Sequence, residues 1–205
     1  MSESWLTITV GIIFVNNYVL SQFLGICPFL GVSRKLKSAL GMSGAVIFVM
    51  TFASFITSLV YNYIFKAHIS FTLFGHIFKG NLIFLQTLVF ITVIASLVQI
   101  VELILRKISP PLYKALGVFL PLITTNCAIL ACVVLNANKN RDVIHSVVYA
   151  FCASLGFSLA LILFSSLREK LDLARVPKPM QGAAIALITA GILAMGFMGF
   201  SGLTK

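Results

Sequence analysis

Charge is scarce in this sequence. Only 10% of its 205 residues are Asp, Glu, Lys or Arg, whereas hydrophobic residues make up 60%. A soluble domain of this size carries about 25% charged residues, because its surface must be hydrated. The composition therefore excludes an ordinary soluble domain and predicts an integral membrane protein.

Acidic residues are rarer still, with 5 against 15 basic residues and a formal net charge of +10. The basic residues lie in short connections between apolar segments, and loop charge of this kind orients a membrane protein. We therefore expect no nucleic-acid partner. The sequence contains no P-loop, GxGxxG or flavin-attachment pattern, so it predicts no nucleotide site. The 4 cysteines show no repeated spacing, which argues against a disulfide framework or a zinc site within this chain alone.

Six apolar segments are long enough to cross a bilayer, which takes about 20 residues of helix because no backbone group can stay unpaired in lipid. They are Trp5–Ile26, Ala39–Phe65, Leu82–Leu105, Ala115–Asn136, Val143–Leu167 and Met180–Leu203. The connections between them leave no room for a soluble domain. The predicted fold class is all-α, an integral membrane six-helix bundle forming a single transmembrane domain over residues 1–205.

The distribution of Lys and Arg predicts the orientation. Ten basic residues lie on one side, in the connections between spans 1 and 2, 3 and 4, and 5 and 6. They are Arg34, Lys35, Lys37, Arg106, Lys107, Lys114, Arg168, Lys170, Arg175 and Lys178. The other side carries five, so the ten-charge side should be cytoplasmic and both termini should lie outside.

An internal repeat is also visible. The segment Cys27–Val32 (CPFLGV) aligns with Cys127–Cys132 (CAILAC) at an offset of 100 residues, although aligning Asn17 with Asn126 gives 109 instead. Each half, about 1–107 and 108–205, contains three spans, and an odd number inverts the second half. Inverted repeats place functional sites near the bilayer midplane on interrupted helices. We therefore predict that helices 1 and 4 are interrupted or half-spanning.

Polar residues in the middle of these two spans allow two interpretations. Asn16 and Asn17 lie in span 1, and Thr124–Cys127 follows Pro121 in span 4. They could serve ordinary hydrogen bonding between helices beside a proline kink. Alternatively, both helices are broken and their backbone lines a buried site, with Asn17, Pro28, Thr125 and Asn126 as candidate lining residues.

Depth favours the second interpretation. Cys127 lies 13 residues beyond Lys114, whereas Cys27 lies only 7 before Arg34 on the same predicted side. An extended Pro28–Ser33 would reach about 20 Å and bring both thiols to a common depth.

The four cysteines fall into two classes. A lone buried cysteine is usually a small apolar residue, and we interpret Cys132 and Cys152 in this way. Cys27 and Cys127 instead occupy matched positions beside helix-breaking or polar residues. Two thiolates are half of the usual ligand set of an iron–sulfur cluster, so a cluster here would be shared with another chain.

The chain resembles the membrane subunits of the Rnf complex, an ion-translocating ferredoxin:NAD oxidoreductase, over nearly its whole length. The resemblance rests on Val15–Leu20 (VNNYVL), Leu24–Ser33 (LGICPFLGVS), Leu116–Ala128 (LGVFLPLITTNCA), Arg168–Lys170 (REK) and Gly182–Gly202. The same family includes NqrE, a membrane component of the sodium-pumping NADH:quinone oxidoreductase. Asn16, Asn17, Pro28 and Thr125 favour the Rnf branch.

This resemblance implies an inverted three-plus-three repeat and a homologous partner, RnfE, inserted in the opposite orientation. Each partner would give two cysteines to one [2Fe–2S] cluster, and by position those of this chain are Cys27 and Cys127. The chain would carry electrons through the bacterial inner membrane, coupled to Na⁺ or H⁺ transport, beside other Rnf subunits. It would have no complete active site of its own.

Three alternatives stay open at this point. The chain could be the NqrE component of the sodium pump, a secondary transporter or channel with a midplane substrate site, or a purely structural scaffold.

Overall fold

The computed structural model describes residues 9–65, 79–108, 120–139, 141–174, 177 and 181–199. Over these ranges the regular structure is helical and contains no strand, which confirms the all-α class. Its elements are π1 (Gly11–Val15), α1 (Ile26–Val32), α2 (Leu36–Val60), π2 (Tyr61–Phe65), α3 (Lys79–Ile108), α4 (Leu120–Thr124), α5 (Cys127–Asn138), α6 (Val143–Leu173) and α7 (Ala183–Met198).

Four helical stretches in the described part of the chain are long and apolar enough to cross a membrane. They are Leu36–Tyr63, Gln86–Ile104, Pro121–Asn138 and Val143–Leu173. They correspond to predicted spans 2 to 5, and they support the membrane assignment. The sixth span is represented by α7, a shorter apolar helix. The count of six spans and the inversion of the two halves stay predictions. The predicted span ends at 5–8, 115–119 and 200–203 lie outside the described residues.

The core is formed mainly by α2 and α6. Their buried residues recur every three or four positions and include many small ones, so the two helices can pack closely. On α2 these are Ala39, Met42, Val46, Val49, Met50 and Ala53; on α6 they are Ala150, Ala153, Phe157, Ala160, Leu161 and Phe164. The opposite face of α2 exposes Phe48, Phe52 and Phe55. An apolar face of this kind suits lipid or another membrane protein.

The first predicted span is not one helix. After π1, residues 16–25 form turns, and α1 begins only at Ile26. The last turn residue, Gly25, has a φ of +78°, a left-handed conformation that glycine adopts without steric cost. The structure therefore interrupts this span, as the polar residues predict, but ahead of Cys27 rather than after it.

The prediction of an extended Pro28–Ser33 is wrong. Residues 28–32 belong to α1, and Phe29 N–H donates to the carbonyl oxygen of Gly25 at 3.3 Å. Pro28 is the third residue of the helix, where the backbone N–H has no partner within the helix, so proline's missing donor costs nothing. Proline is thus compatible with the first turn, and the non-helical backbone is supplied by residues 16–25.

The fourth predicted span is also interrupted. Helix α4 ends at Thr124 and α5 begins at Cys127. Asn126 is the N-cap of α5, and its Oδ1 accepts a hydrogen bond from Ala128 N–H at 3.0 Å. Such a cap satisfies one of the amide groups that a helix start leaves unpaired. The chain therefore begins a new helix at Cys127 instead of continuing α4.

Candidate functional site

The two interruptions meet in space. The backbone N–H of Gly25 donates to the Sγ atom of Cys127 at 2.8 Å. A Cβ atom added to Gly25 would lie 3.2 Å from both Asn126 Oδ1 and the Ala128 Cβ atom. The turn that precedes α1 therefore packs directly on the first turn of α5, although the two are about 100 residues apart.

Both candidate ligands lie in the first turn of a helix that follows an interruption. Cys27 is the second residue of α1 and Cys127 is the first residue of α5. The amide groups and partial positive charge at the start of α5 favour a thiolate at Cys127. Cys27 is exposed and Cys127 is half-buried. This half of the site is therefore open on one side, where a second chain could contribute.

The proposed lining residues have different environments. Asn17 is buried, and its Nδ2 donates to the carbonyl oxygens of Gly156 (2.7 Å) and Ile13 (3.2 Å). Its Oδ1 accepts from Val19 N–H at 3.1 Å. These bonds hold the turn of residues 16–25 against α6. Asn17 thus acts on the shape of the interruption and has no free amide hydrogen to offer a ligand.

The other three lining candidates flank the cysteines directly. Pro28 is buried beside Cys27, and Thr125 is exposed with its hydroxyl donating to the Pro121 carbonyl oxygen at 3.0 Å. Asn126 is buried beside Cys127, and its Nδ2 has no hydrogen-bond partner among the described residues. Of the four, only Asn126 has an unused buried polar atom.

The sequence places Arg168 in the connection between spans 5 and 6, and this prediction is wrong. Helix α6 continues to Leu173, and Arg168 is a buried residue within it. Its Nη1 donates to Leu30 O at 2.8 Å and to Ser33 Oγ at 2.9 Å, at the end of α1. A guanidinium group suits this place, because the last carbonyl groups of a helix lack partners and carry partial negative charge. The presence of Arg168–Lys170 among the motifs of the resemblance is the signal for a role.

A second polar cluster is not evident from the sequence. Asn136 Nδ2 donates to Ser54 Oγ at 3.0 Å and to Ser146 O at 3.2 Å, while its Oδ1 accepts from Arg141 Nη1 at 3.0 Å. The Arg141 guanidinium lies 3.9 Å above the centre of the Tyr149 ring. The amide of Asn136 is fully bonded, so this cluster ties α2, α5 and α6 together.

Cys132 and Cys152 are both buried in the core. Among the residues that the structure describes, no three His, Cys, Asp or Glu side chains come close enough together to hold a metal ion. The described part of the chain thus offers Cys27 and Cys127 as a partial ligand set.

Comparisons with known proteins agree with this architecture. The family model described as "Rnf-Nqr subunit, membrane protein" matches residues 5–204. The chain is 50% identical over 201 residues to a protein of Escherichia fergusonii, with 98% of each chain covered. It is 48% identical over 203 residues to one of Sodalis glossinidius (99% of each chain) and 51% identical over 201 residues to one of Shigella boydii (98% of each chain). All three relatives are named as the A-type component of an "Ion-translocating oxidoreductase complex".

The family match covers nearly the whole chain, and it includes both interrupted segments and both cysteines of the candidate site. The chain therefore belongs to the Rnf-Nqr family of membrane subunits.

Proposed function

We propose that this chain is a membrane subunit of an ion-translocating ferredoxin:NAD oxidoreductase. It carries electrons through the bilayer by a [2Fe–2S] cluster shared with a homologous protein, RnfE, and electron transfer is coupled to Na⁺ or H⁺ transport. The observation that supports this most is the contact of the two interruptions, in which Gly25 N–H reaches Cys127 Sγ two residues before Cys27. The relatives' names support membership of a redox complex.

The residues present fit one half of such a cluster site. Thiolates are the usual protein ligands of iron–sulfur clusters, and four are normally required. This chain offers two, and the exposure of Cys27 leaves room for ligands from a partner. When bound, the cluster would accept and pass on single electrons. The chain's own groups would hold it by two thiolates and stabilise its negative charge by the amide groups of Gly25 and the first turn of α5.

The matched positions of the two cysteines also support the proposed inverted repeat. Each cysteine occupies the first turn of a helix that starts inside a predicted span, Cys27 in α1 and Cys127 in α5. In an inverted repeat the two helix starts would face each other near the midplane. The bacterial relatives and the basic connections support a place in the cytoplasmic membrane with both termini outside.

The test is to purify the whole membrane complex through a tag on this chain and measure iron, visible absorbance and the EPR signal. We expect Cys27→Ser and Cys127→Ser each to remove the cluster, because a serine oxygen is a poor ligand for iron in place of sulfur. The matched controls are Cys132→Ser and Cys152→Ser, which should keep it. All values are taken per assembled complex, so that poor assembly is not counted as ligand loss.

Two outcomes would contradict the proposal. A colourless, iron-free complex that contains the partner subunits would favour a transporter or channel without a redox role. Recovery of a monodisperse, iron-loaded monomer of this polypeptide alone would contradict the shared site, since two thiolates leave the iron ligand set incomplete.

A further inference from the structure

One hydrogen-bond donor at the site is unused. Asn126 is 2% exposed, and its Nδ2 has no partner among the described residues. The orientation of this amide is fixed, because its Oδ1 accepts from Ala128 N–H at 3.0 Å. Exchanging the two atoms would place an NH₂ group against another N–H donor. The unpaired atom is therefore the nitrogen, and the missing group is an acceptor.

The other buried asparagines show how unusual this is. Asn17 Nδ2 donates to two carbonyl oxygens, and Asn136 Nδ2 donates to Ser54 Oγ and Ser146 O. Buried polar groups in native proteins are nearly always paired, so each exception needs an explanation. Asn126 differs from the other two in lying beside Cys127, at the meeting of the two interruptions.

The neighbourhood of Asn126 is rich in donors. Gly25 N–H already donates to Cys127 Sγ at 2.8 Å, and Cys127 begins α5, a 12-residue helix whose first amide groups point outward from its start. A bound group with several acceptor atoms and negative charge would complement these donors. A cluster with sulfide and thiolate sulfur atoms has this character.

We propose that the side-chain amide of Asn126 donates a hydrogen bond to a sulfur atom of the cluster bound at Cys27 and Cys127, and thereby raises its reduction potential. This inference rests on the proposed function. Hydrogen bonds to cluster sulfur atoms raise the potential, because they stabilise the reduced form, which carries one more negative charge. Asn126 is then a positioning residue with two separate tasks: its oxygen caps α5, and its nitrogen tunes the cluster.

The two tasks can be separated by substitution. Asn126→Ser keeps an oxygen that can cap the helix but removes the amide group. Asn126→Asp keeps nearly the same shape and the capping oxygen, but replaces the donor by a negative charge. Asn126→Ala removes both functions. The matched control is Asn138→Ser, the same change at an exposed residue at the other end of α5.

The measurement is an EPR-monitored redox titration of the cluster in the purified full complex, together with its iron content. We expect Asn126→Ser to keep wild-type iron content and thermal stability but to lower the midpoint potential. Asn126→Asp should lower the potential further, and Asn126→Ala should lower both the potential and the stability. Asn138→Ser should change neither. A potential that shifts while stability does not cannot be explained by a capping role alone.

Failure of this inference can be told from failure of the proposed function. If the wild-type complex contains no cluster, the proposed function falls. If the cluster is present and its potential is unchanged in whichever of Asn126→Ser and Asn126→Asp assembles, only the inference on Asn126 is overturned. A shift confined to Asn126→Ala would assign the effect to the lost cap and would overturn it as well.

Discussion

Arg168 of α6 donates a hydrogen bond to the carbonyl oxygen of Leu30, 2.8 Å from its Nη1 atom and 138 residues away in the sequence. The acceptor lies in the last turn of α1, whose opposite end carries Cys27. A helix of 7 residues has little stability of its own, since helix formation is cooperative. The long helix α6 therefore fixes the position of the short one, and with it the position of a candidate ligand.

We expect Arg168→Leu to destabilise the protein by about 1–3 kcal/mol, because Leu30 O and Ser33 Oγ would lose a charged donor. Arg168→Lys should recover part of this loss, since its ammonium is a smaller and less directional donor than a guanidinium. Thermal unfolding of the purified complex measures the effect, and Arg106→Leu, at an exposed arginine of α3, is the control. Equal stability of the Arg168 and Arg106 variants would show that the two hydrogen bonds do not hold α1.

Gly25 should tolerate no side chain. Its φ is +78°, and an added Cβ would lie 2.7 Å from Phe157 Cε2. We expect Gly25→Ala to lower the free energy of unfolding by about 1–3 kcal/mol through backbone strain and displacement of the Phe157 ring.

The matched control is Gly44→Ala in α2, where an added Cβ meets nothing within 4 Å. This change should be neutral or stabilising, by up to about 1 kcal/mol, because alanine favours a helix interior. Thermal unfolding in detergent compares the two variants. A Gly25→Ala variant as stable as Gly44→Ala would argue against the left-handed turn.

The cluster around Asn136 should be a structural connection. Asn136→Leu would leave Ser146 O without its amide donor and Arg141 without its acceptor, and we expect a loss of about 1–3 kcal/mol. Asn138→Leu, two residues further and exposed, serves as the control in the same unfolding measurement. If both variants unfold together with the wild type, the hydrogen bonds of Asn136 contribute nothing to stability.

The orientation can be tested by labelling introduced cysteines with a membrane-impermeant reagent. Lys37→Cys, Lys107→Cys and Lys178→Cys should react only from the cytoplasmic side, because positively charged connections stay there. Lys178 itself lies outside the described residues. Lys139→Cys, on the opposite predicted side, should react from the periplasm, and the parent protein gives the background of the native cysteines. Periplasmic labelling of the first three sites would reverse the predicted topology.

Features that depend on local composition are predictable from the sequence. Spans 2 to 5 follow from long apolar runs, and the interruption at Asn126 follows from polar residues placed inside such a run. The prediction for Pro28 is wrong because proline is compatible both with an extended segment and with the first turn of a helix. The sequence alone does not show which of these the chain adopts, since the choice depends on Gly25 and on packing against α5.

Contacts between distant segments are not predictable from one sequence. Arg168 resembles a loop charge because hydropathy ends span 5 at Leu167, and only the structure shows its acceptors on α1. The unused amide of Asn126 likewise depends on the direction of one side chain. The repeat does suggest that Cys27 and Cys127 belong together, because a matched position in two halves carries information about three dimensions.

The bonds that hold the first interruption have a consequence for the order in which the protein is made. Asn17 and Leu30 find their partners at Gly156 and Arg168, in α6, which leaves the ribosome more than 130 residues later. Until then the non-helical backbone of residues 16–25 lacks these partners, and unpaired backbone is costly in lipid. The N-terminal segment is therefore the first to be synthesised and among the last to reach its final structure. A nascent chain truncated before α6 should leave this segment accessible to protease, whereas one extended past Arg168 should protect it.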